Sequence, residues 1–172
     1  MTSAAAPNTA TLGPHRLELV LFQPQIAPNT GNIGRLCAAT GSALHLVRPL
    51  GFALDDRNLR RSGMDYWKRL TLTVHDDSDA FFVATADRPI WFFSTKGQQS
   101  LWDVAFTDGD LLAFGNETHG LDPSILAAHS HRVVRIPQAA EERCLNLSTA
   151  AGVALYEALR QIASPSPHGR PR

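Results

Sequence analysis

Short apolar runs recur along the chain at residues 17–22, 43–47, 70–74, 90–94, 110–114 and 132–136, with turn residues and helical periodicity between them. Their length and richness in Leu, Val, Ile and Phe suit buried strands. Pro28 with Asn29-Thr30 supplies turn and capping chemistry for a helix to about Thr40, and Gly41 is placed to stop it. Asp55 or Asp56 opens a short helix over 56–61, Asp77 another to about Ala86, and Pro123 a third to Ala128. Asn146 or Ser148 caps the longest helix, which reaches about Ile162 and carries the apolar stripe Leu147, Ala151, Ala154, Leu155 and Leu159. Strand and helix in alternation predict one α/β domain with a mostly parallel sheet and helices on both faces.

A chain of 172 residues holds one full core. The expected organisation is a disordered leader over 1–15, a single domain over 16–162 and a disordered tail over 163–172. No apolar run has bilayer length and no basic cluster precedes an apolar core near the start, so no membrane association and a cytoplasmic location are expected. Lys+Arg and Asp+Glu number 16 each, and a net charge of zero argues against indiscriminate polyanion binding while leaving room for a local basic patch. The cysteines Cys37 and Cys144 give neither a disulfide framework nor metal-ligand spacing, so no metal is expected. Cys37 reads as a small buried thiol in a helix, and Cys144 falls in a loop where its role stays open.

The chemistry concentrates in loops. Residues 115–121 and 136–148 each follow an apolar run and lead toward a helix. In an open parallel sheet, ligands sit outside the carboxyl ends of the strands, so the two loops side by side outline a small-molecule pocket. A third segment, 29–35, opens a helix just after the first strand, where free N–H groups favour an anion. Gly31 and Gly34 match neither a Walker A loop nor a dinucleotide fingerprint, and alone the segment reads as a capped helix with a solvent-facing Arg35. Arg57, Arg60, Arg61, Lys68 and Arg69, interleaved with Tyr66 and Trp67, suit single-stranded RNA. On composition alone, a solvated helix face with one buried aromatic fits that stretch better. His45 and His119 are isolated histidines with little weight as bases, and His119 reads as a loop surface residue.

Taken in order, Asn29-Thr30-Gly31-Asn32-Ile33-x-Arg35, then Phe114-Gly115-Asn116-Glu117-x-x-Gly120-Leu121, then Ile136-Pro137 and Leu145-Asn146-Leu147-Ser148 closely resemble the SpoU branch of the SPOUT methyltransferases. Residues 49–53, Asp55-Asp56, 59–66, Thr95-Lys96-Gly97 and 153–161 extend the match, which runs from about Leu17 to Gln161 and is nearest the enzymes acting on the tRNA wobble nucleotide. The resemblance implies a C-terminal deep trefoil knot, an exception to the rarity of knots. It further implies S-adenosyl-L-methionine held in the knot by Phe93, Gly115, Ile136, Cys144 and Leu145, with Phe93 and Ile136 flanking the adenine and Gly115 allowing close backbone approach.

The implied reaction is methyl transfer to a ribose 2′-hydroxyl at the anticodon of tRNA, in leucine isoacceptors. Arg35 matches the family's catalytic arginine, and a permanently charged guanidinium suits phosphate fixing and oxyanion stabilisation better than base catalysis. Asn29, Asn32, Glu117 and Asn146 hold the other polar motif positions on the substrate side. Glu117 reads equally as an acceptor for loop N–H groups, a partner for a second subunit's Arg35, or a pin for its own loop. Asn146 reads first as a helix cap. Arg60 and Arg61 are implied RNA contacts, and Tyr156 reaches either the tRNA or a partner across a homodimer interface built with Ala150, Ala151 and Ala154. Cys144 departs from the family's serine and Thr149 from a frequent asparagine. The competing implications are the same chemistry on ribosomal RNA or another tRNA position, and a catalytically silent RNA-binding dimer.

Overall fold

In the computed structural model, which describes residues 11–54, 66–140, 142 and 144–163, all strand pairs of the sheet are parallel. The strands are β1 (Glu18–Phe22), β2 (Ala43–Val47), β3 (Leu72–His75), β4 (Ile90–Phe93), β5 (Gln99–Ser100), β6 (Leu111–Phe114) and β7 (Val133–Arg135). Their order across the sheet is β3-β2-β1-β6-β4-β7-β5. Parallel strands need crossovers that cover both faces, which is why the central strands are apolar on both sides. All of β6, Leu-Leu-Ala-Phe, is buried.

Successive side chains point to opposite faces and so feed two cores. Leu19 and Leu21 pack with Ile33 and Cys37 of α1 (Ala27–Thr40) and with Ala151, Ala154, Leu155 and Ala158 of a long C-terminal helix, Leu147–Ala163. Val20 and Phe22 turn the other way, toward Phe81 of α2 (Ser78–Ala84) and Ile125 of α3 (Pro123–Ala128). The C-terminal helix, α4, therefore shares a face with α1, while α2 and α3 cover the other. The expected parallel sheet with helices on both faces is what the chain forms.

Several boundaries shift for identifiable reasons. Gly41 closes α1 in the left-handed region at φ 83°, donating its N–H to the Cys37 carbonyl, as its position implies. Asp77 caps α2 by accepting from the Ala80 N–H, but the helix stops at Ala84 rather than Ala86. β3 starts at Leu72 instead of residue 70, because Leu70 still closes a 3-10 turn over Trp67–Arg69. β5 gave no apolar signal at all: Gln99–Ser100 is polar and earns strand geometry only by pairing with Val134 and Arg135. The expected helix at 56–61, the basic residues Arg57, Arg60 and Arg61, and most of the expected leader and tail lie outside the described residues.

Beneath α2 lies a polar network joining the amino-end half of the sheet. Glu18 Oε2 accepts from His45 Nε2 at 2.6 Å and from the Arg88 guanidinium at 2.5 Å. His45 Nδ1 meets His75 Nε2 at 2.9 Å. His45 thus bridges Glu18 of β1 and His75 of β3 through its two ring nitrogens. Burial alone would raise the Glu18 pKa, but hydrogen bonds from His45 and Arg88 and the Arg88 charge overcome it, bringing it from 4.5 to about 2. A lowered carboxylate pKa contributes stability that is fully present above the unfolded value and is lost as pH falls through the folded one. Urea titrations from neutral to acid pH test this. Glu18→Gln is expected to lower stability at neutral pH by roughly 1.5–3 kcal/mol, and to flatten the loss that the wild type shows between pH 4.5 and about 2.

Candidate functional site

At the carboxyl ends of β4, β6 and β7, the loops that follow them enclose a cavity of about 460 Å³. Phe93 and Phe114 end β4 and β6 side by side, and their rings stack at 4.8 Å between centroids. Both line the cavity, as do Gly115, Ile136, Cys144 and Leu145. The cavity has the size of a small-molecule site and combines apolar walls with polar loop groups. All the residues singled out for the cofactor, Phe93, Gly115, Ile136, Cys144 and Leu145, line this one space. Cys144 is an exposed free thiol here, whereas Cys37 is fully buried, which pushes its thiol pKa up to about 12.

A side chain at position 115 is excluded by the chain's own turn, whatever the cavity holds. Loop 116–120 folds back on itself, with Asn116 N–H donating to the Gly120 carbonyl at 3.2 Å and Gly120 N–H to the Asn116 carbonyl at 3.0 Å. A Cβ at position 115 would stand 2.0 Å from Gly120 C and 2.1 Å from Leu121 N. The chain's own backbone therefore excludes a side chain. Asn116 Oδ1 tightens the turn by accepting from the N–H groups of Thr118 and His119, and Gly120 adopts φ +72° to close it.

This turn carries Glu117 onto the start of α1. The N-cap position is Ile26, whose carbonyl accepts from the Asn29 and Thr30 N–H groups but which has no side-chain oxygen to offer. Glu117 supplies one from outside: Oε2 accepts from Gln25 N–H at 2.8 Å, and Oε1 from Ile26 N–H at 3.2 Å and Asn29 Nδ2 at 2.9 Å. Asn29 Oδ1 in turn accepts from Asn146 Nδ2 at 3.0 Å. Asn146 Oδ1 receives the Ser148 N–H and hydroxyl, at 2.9 and 2.7 Å, and so caps α4 while bridging to α1. Glu117, Asn29 and Asn146 thus link the three motif segments directly, and all three line the cavity. α1 begins two residues before Asn29, so Asn29 does not cap it. Instead of an open anion site, its N-terminus meets the protein's own carboxylate.

Arg35 and Asn32 stand apart. Both are exposed on α1, and neither lines the cavity. At the rise of an α-helix, Arg35 is about 9 Å along the axis from Asn29. Its guanidinium carbon lies 5.5 Å from the centre of the Tyr66 ring. Tyr156 is 54% exposed on α4, one turn from the partly exposed Val153. Arg60 and Arg61 fall outside the described residues. Lys96, Gln138 and His119 line the cavity without having been chosen for it. For Lys96 a signal existed in the Thr95-Lys96-Gly97 turn: a Cβ at Gly97 would meet Val134 C at 2.6 Å, so the turn packs directly on β7.

Comparison with known proteins agrees with this geometry. The profile of the SpoU rRNA Methylase family matches residues 16–156. The tRNA (cytidine(34)-2′-O)-methyltransferase of Escherichia coli (strain K12) is 47% identical over 150 residues, 87% of this chain and 96% of that protein. The protein of the same name from Saccharophagus degradans is 48% identical over 145 residues, 84% and 94% of the two chains. A solved structure described as "Structural insights into the 2-OH methylation of C/U34 on tRNA" superposes with a TM-score of 0.83 at 46% identity, covering 87% of this chain and 97% of that one. The SpoU methyltransferase AviRb from Streptomyces viridochromogenes, in complex with the cofactor AdoMet, superposes with a TM-score of 0.74 at 26% identity, covering 92% of this chain and 62% of that one.

The capping role of Glu117 is open to measurement. Glu117→Gln keeps the side chain's size but turns one acceptor into a donor facing an N–H or amide. It is expected to destabilise the protein by about 1–3 kcal/mol in urea unfolding. Unchanged stability would show that the carboxylate does not hold α1.

Proposed function

This chain belongs to the SpoU rRNA methylase family, and we propose that it transfers a methyl group from S-adenosyl-L-methionine to the 2′-hydroxyl of the tRNA wobble nucleotide, a cytidine or modified uridine at position 34. The observation that carries this reading is the meeting of segments 26–35, 115–121 and 136–148 around one cavity. The chain in which they meet aligns over 87% of its length with a tRNA (cytidine(34)-2′-O)-methyltransferase. We propose leucine isoacceptors as the substrates, a cytoplasmic site of action where tRNA is handled, and no metal.

The cavity suits the cofactor. Phe93, Ile136 and Leu145 give apolar walls for an adenine, and loop groups near Gly115 and Cys144 give polar edges. When bound, S-adenosyl-L-methionine supplies an electrophilic methyl group on a sulfonium. The chain's task is then to present a weak nucleophile in line and to manage the charge that develops on its oxygen. Arg35 fixes the target phosphate and stabilises that oxygen; its guanidinium stays protonated and serves no base role. Asn32, exposed on the same helix, and Arg60 and Arg61 contact the RNA. Cys144 replaces a family serine and donates weakly, so its main contact is through the backbone.

We further propose a homodimer and a deep trefoil knot formed by the segment after β7. Arg35 does not line its own chain's cavity, which favours its delivery to a second copy's site. Ala151 and Ala154, expected at that interface, are buried in the chain's own core, so the apolar surface for the contact comes from Val153 and Tyr156, both partly exposed at i,i+3 on α4.

Nucleoside mass spectrometry after incubation with labelled S-adenosyl-L-methionine and unmethylated tRNA tests the reading. Label is expected as 2′-O-methyl at position 34 of leucine tRNAs. Label in ribosomal RNA alone would overturn the substrate, and no label despite measured cofactor binding would overturn the reaction. Arg35→Lys is expected to lose methyl transfer while binding the cofactor normally; full activity would overturn the guanidinium's role.

A further inference from the structure

Two adjoining aromatic residues meet α1 at its glycines, Tyr66 through the Gly31 carbonyl and Trp67 by packing on Gly34. Tyr66 is buried, with 6% of its surface exposed. Its hydroxyl donates to the Gly31 carbonyl at 3.1 Å. The adjoining Trp67 packs on Gly34, where an added Cβ would lie 3.0 Å from the indole Cζ3, and it meets Tyr66 edge to face. Arg35 follows Gly31 by four residues and lies on the same face, so its guanidinium meets the Tyr66 ring at 5.5 Å. A cation over a tyrosine face is held by the ring's quadrupole.

Gly34 thus has a physical purpose apart from any phosphate loop: it admits the Trp67 indole against the helix, one residue before the exposed Arg35. The phenol's bond to a main-chain carbonyl of that same helix fixes the ring, and the ring orders the arginine. Glu117 holds the other end of α1 against the cavity loop. Arg35 is therefore carried on a helix fixed at its start and flanked by an anchored aromatic.

We propose that Tyr66 is a positioning residue for methyl transfer: anchored at the Gly31 carbonyl, it holds the Arg35 guanidinium in the orientation that meets the substrate. This rests on the reading above that Arg35 acts in the reaction. Tyr66 acts through Arg35 and does not touch the reacting atoms. A residue whose work is orientation changes kcat, whereas one that merely supports the fold changes cofactor affinity or stability.

Two readouts on the full-length protein separate these roles. In isotope-labelled protein, NMR relaxation of the Arg35 Nε–Hε group reads its order without reference to activity. It is expected to be rigid in the wild type, mobile in Tyr66→Leu and intermediate in Tyr66→Phe. In kinetics with tRNA, Tyr66→Leu is expected to lower kcat by about 100-fold, with KM for tRNA and the Kd for S-adenosyl-L-methionine unchanged. Tyr66→Phe, which keeps the ring and lacks the anchor, is expected to fall between Tyr66→Leu and the wild type. In an Arg35→Ala background, Tyr66→Leu is expected to cost nothing more. An unchanged Nε–Hε signal in Tyr66→Leu would overturn the proposal. So would a loss confined to KM or cofactor affinity, or one that persists without Arg35. A wild type that methylates no RNA but keeps a Tyr66-dependent, rigid Arg35 would instead overturn the function and support the positioning contact.

Discussion

Helix α1 leaves the sheet without a polar side chain at its own N-cap, because Ile26 occupies that position. Its first turn is completed by Glu117, a residue of the loop after β6. Every other feature of the site is referred to that contact. It fixes where α1 begins, and thereby where Asn29 points and where Asn146 can bond. It places the 115–121 turn as one wall of the cavity. A negative charge against a helix N-terminus is favourable on electrostatic grounds, and the N–H groups it accepts are those of Gln25 and Ile26, the two residues that lead into the helix. Helix geometry and ligand site are therefore one construction.

The sheet and its two covering layers were legible because parallel strands buried on both faces leave long apolar runs. Runs at 17–22, 43–47 and 110–114 correspond to β1, β2 and β6 within a residue. Gly41 and Asp77 announced helix ends by local chemistry that needs no tertiary information. What stayed hidden depends on distant pairing. Gln99–Ser100 is a strand only because β7 lies beside it. His45 looked isolated along the chain, yet Glu18 and His75 meet it from two other strands, and Arg88 joins them through Glu18. The need for Gly115 could be read, but its cause could not, since Gly120 reaches it only after the turn folds back.

The pocket was legible in part. The loops 115–121 and 136–148 had to meet at one crevice once the sheet was parallel, whereas Phe93, Gly115 and Ile136 were singled out by the resemblance; the three line one cavity. Glu117 and Asn146 had several roles open to them; within the chain, one accepts from the N–H groups leading into a neighbouring helix, and the other caps its own and bridges. Arg35 carried no positional signal of its own. Its surroundings come from Tyr66, which approaches α1 from a separate part of the chain.

Gly115 and Gly120 present only main chain to the cavity they line. Neither can lose a recognition group by substitution, because neither has a side chain to exchange. Gly115 is further guarded by the clash that any replacement would meet. The shape that these two positions offer a ligand is therefore set by the fold alone, and an exchange of a neighbouring side chain leaves it in place.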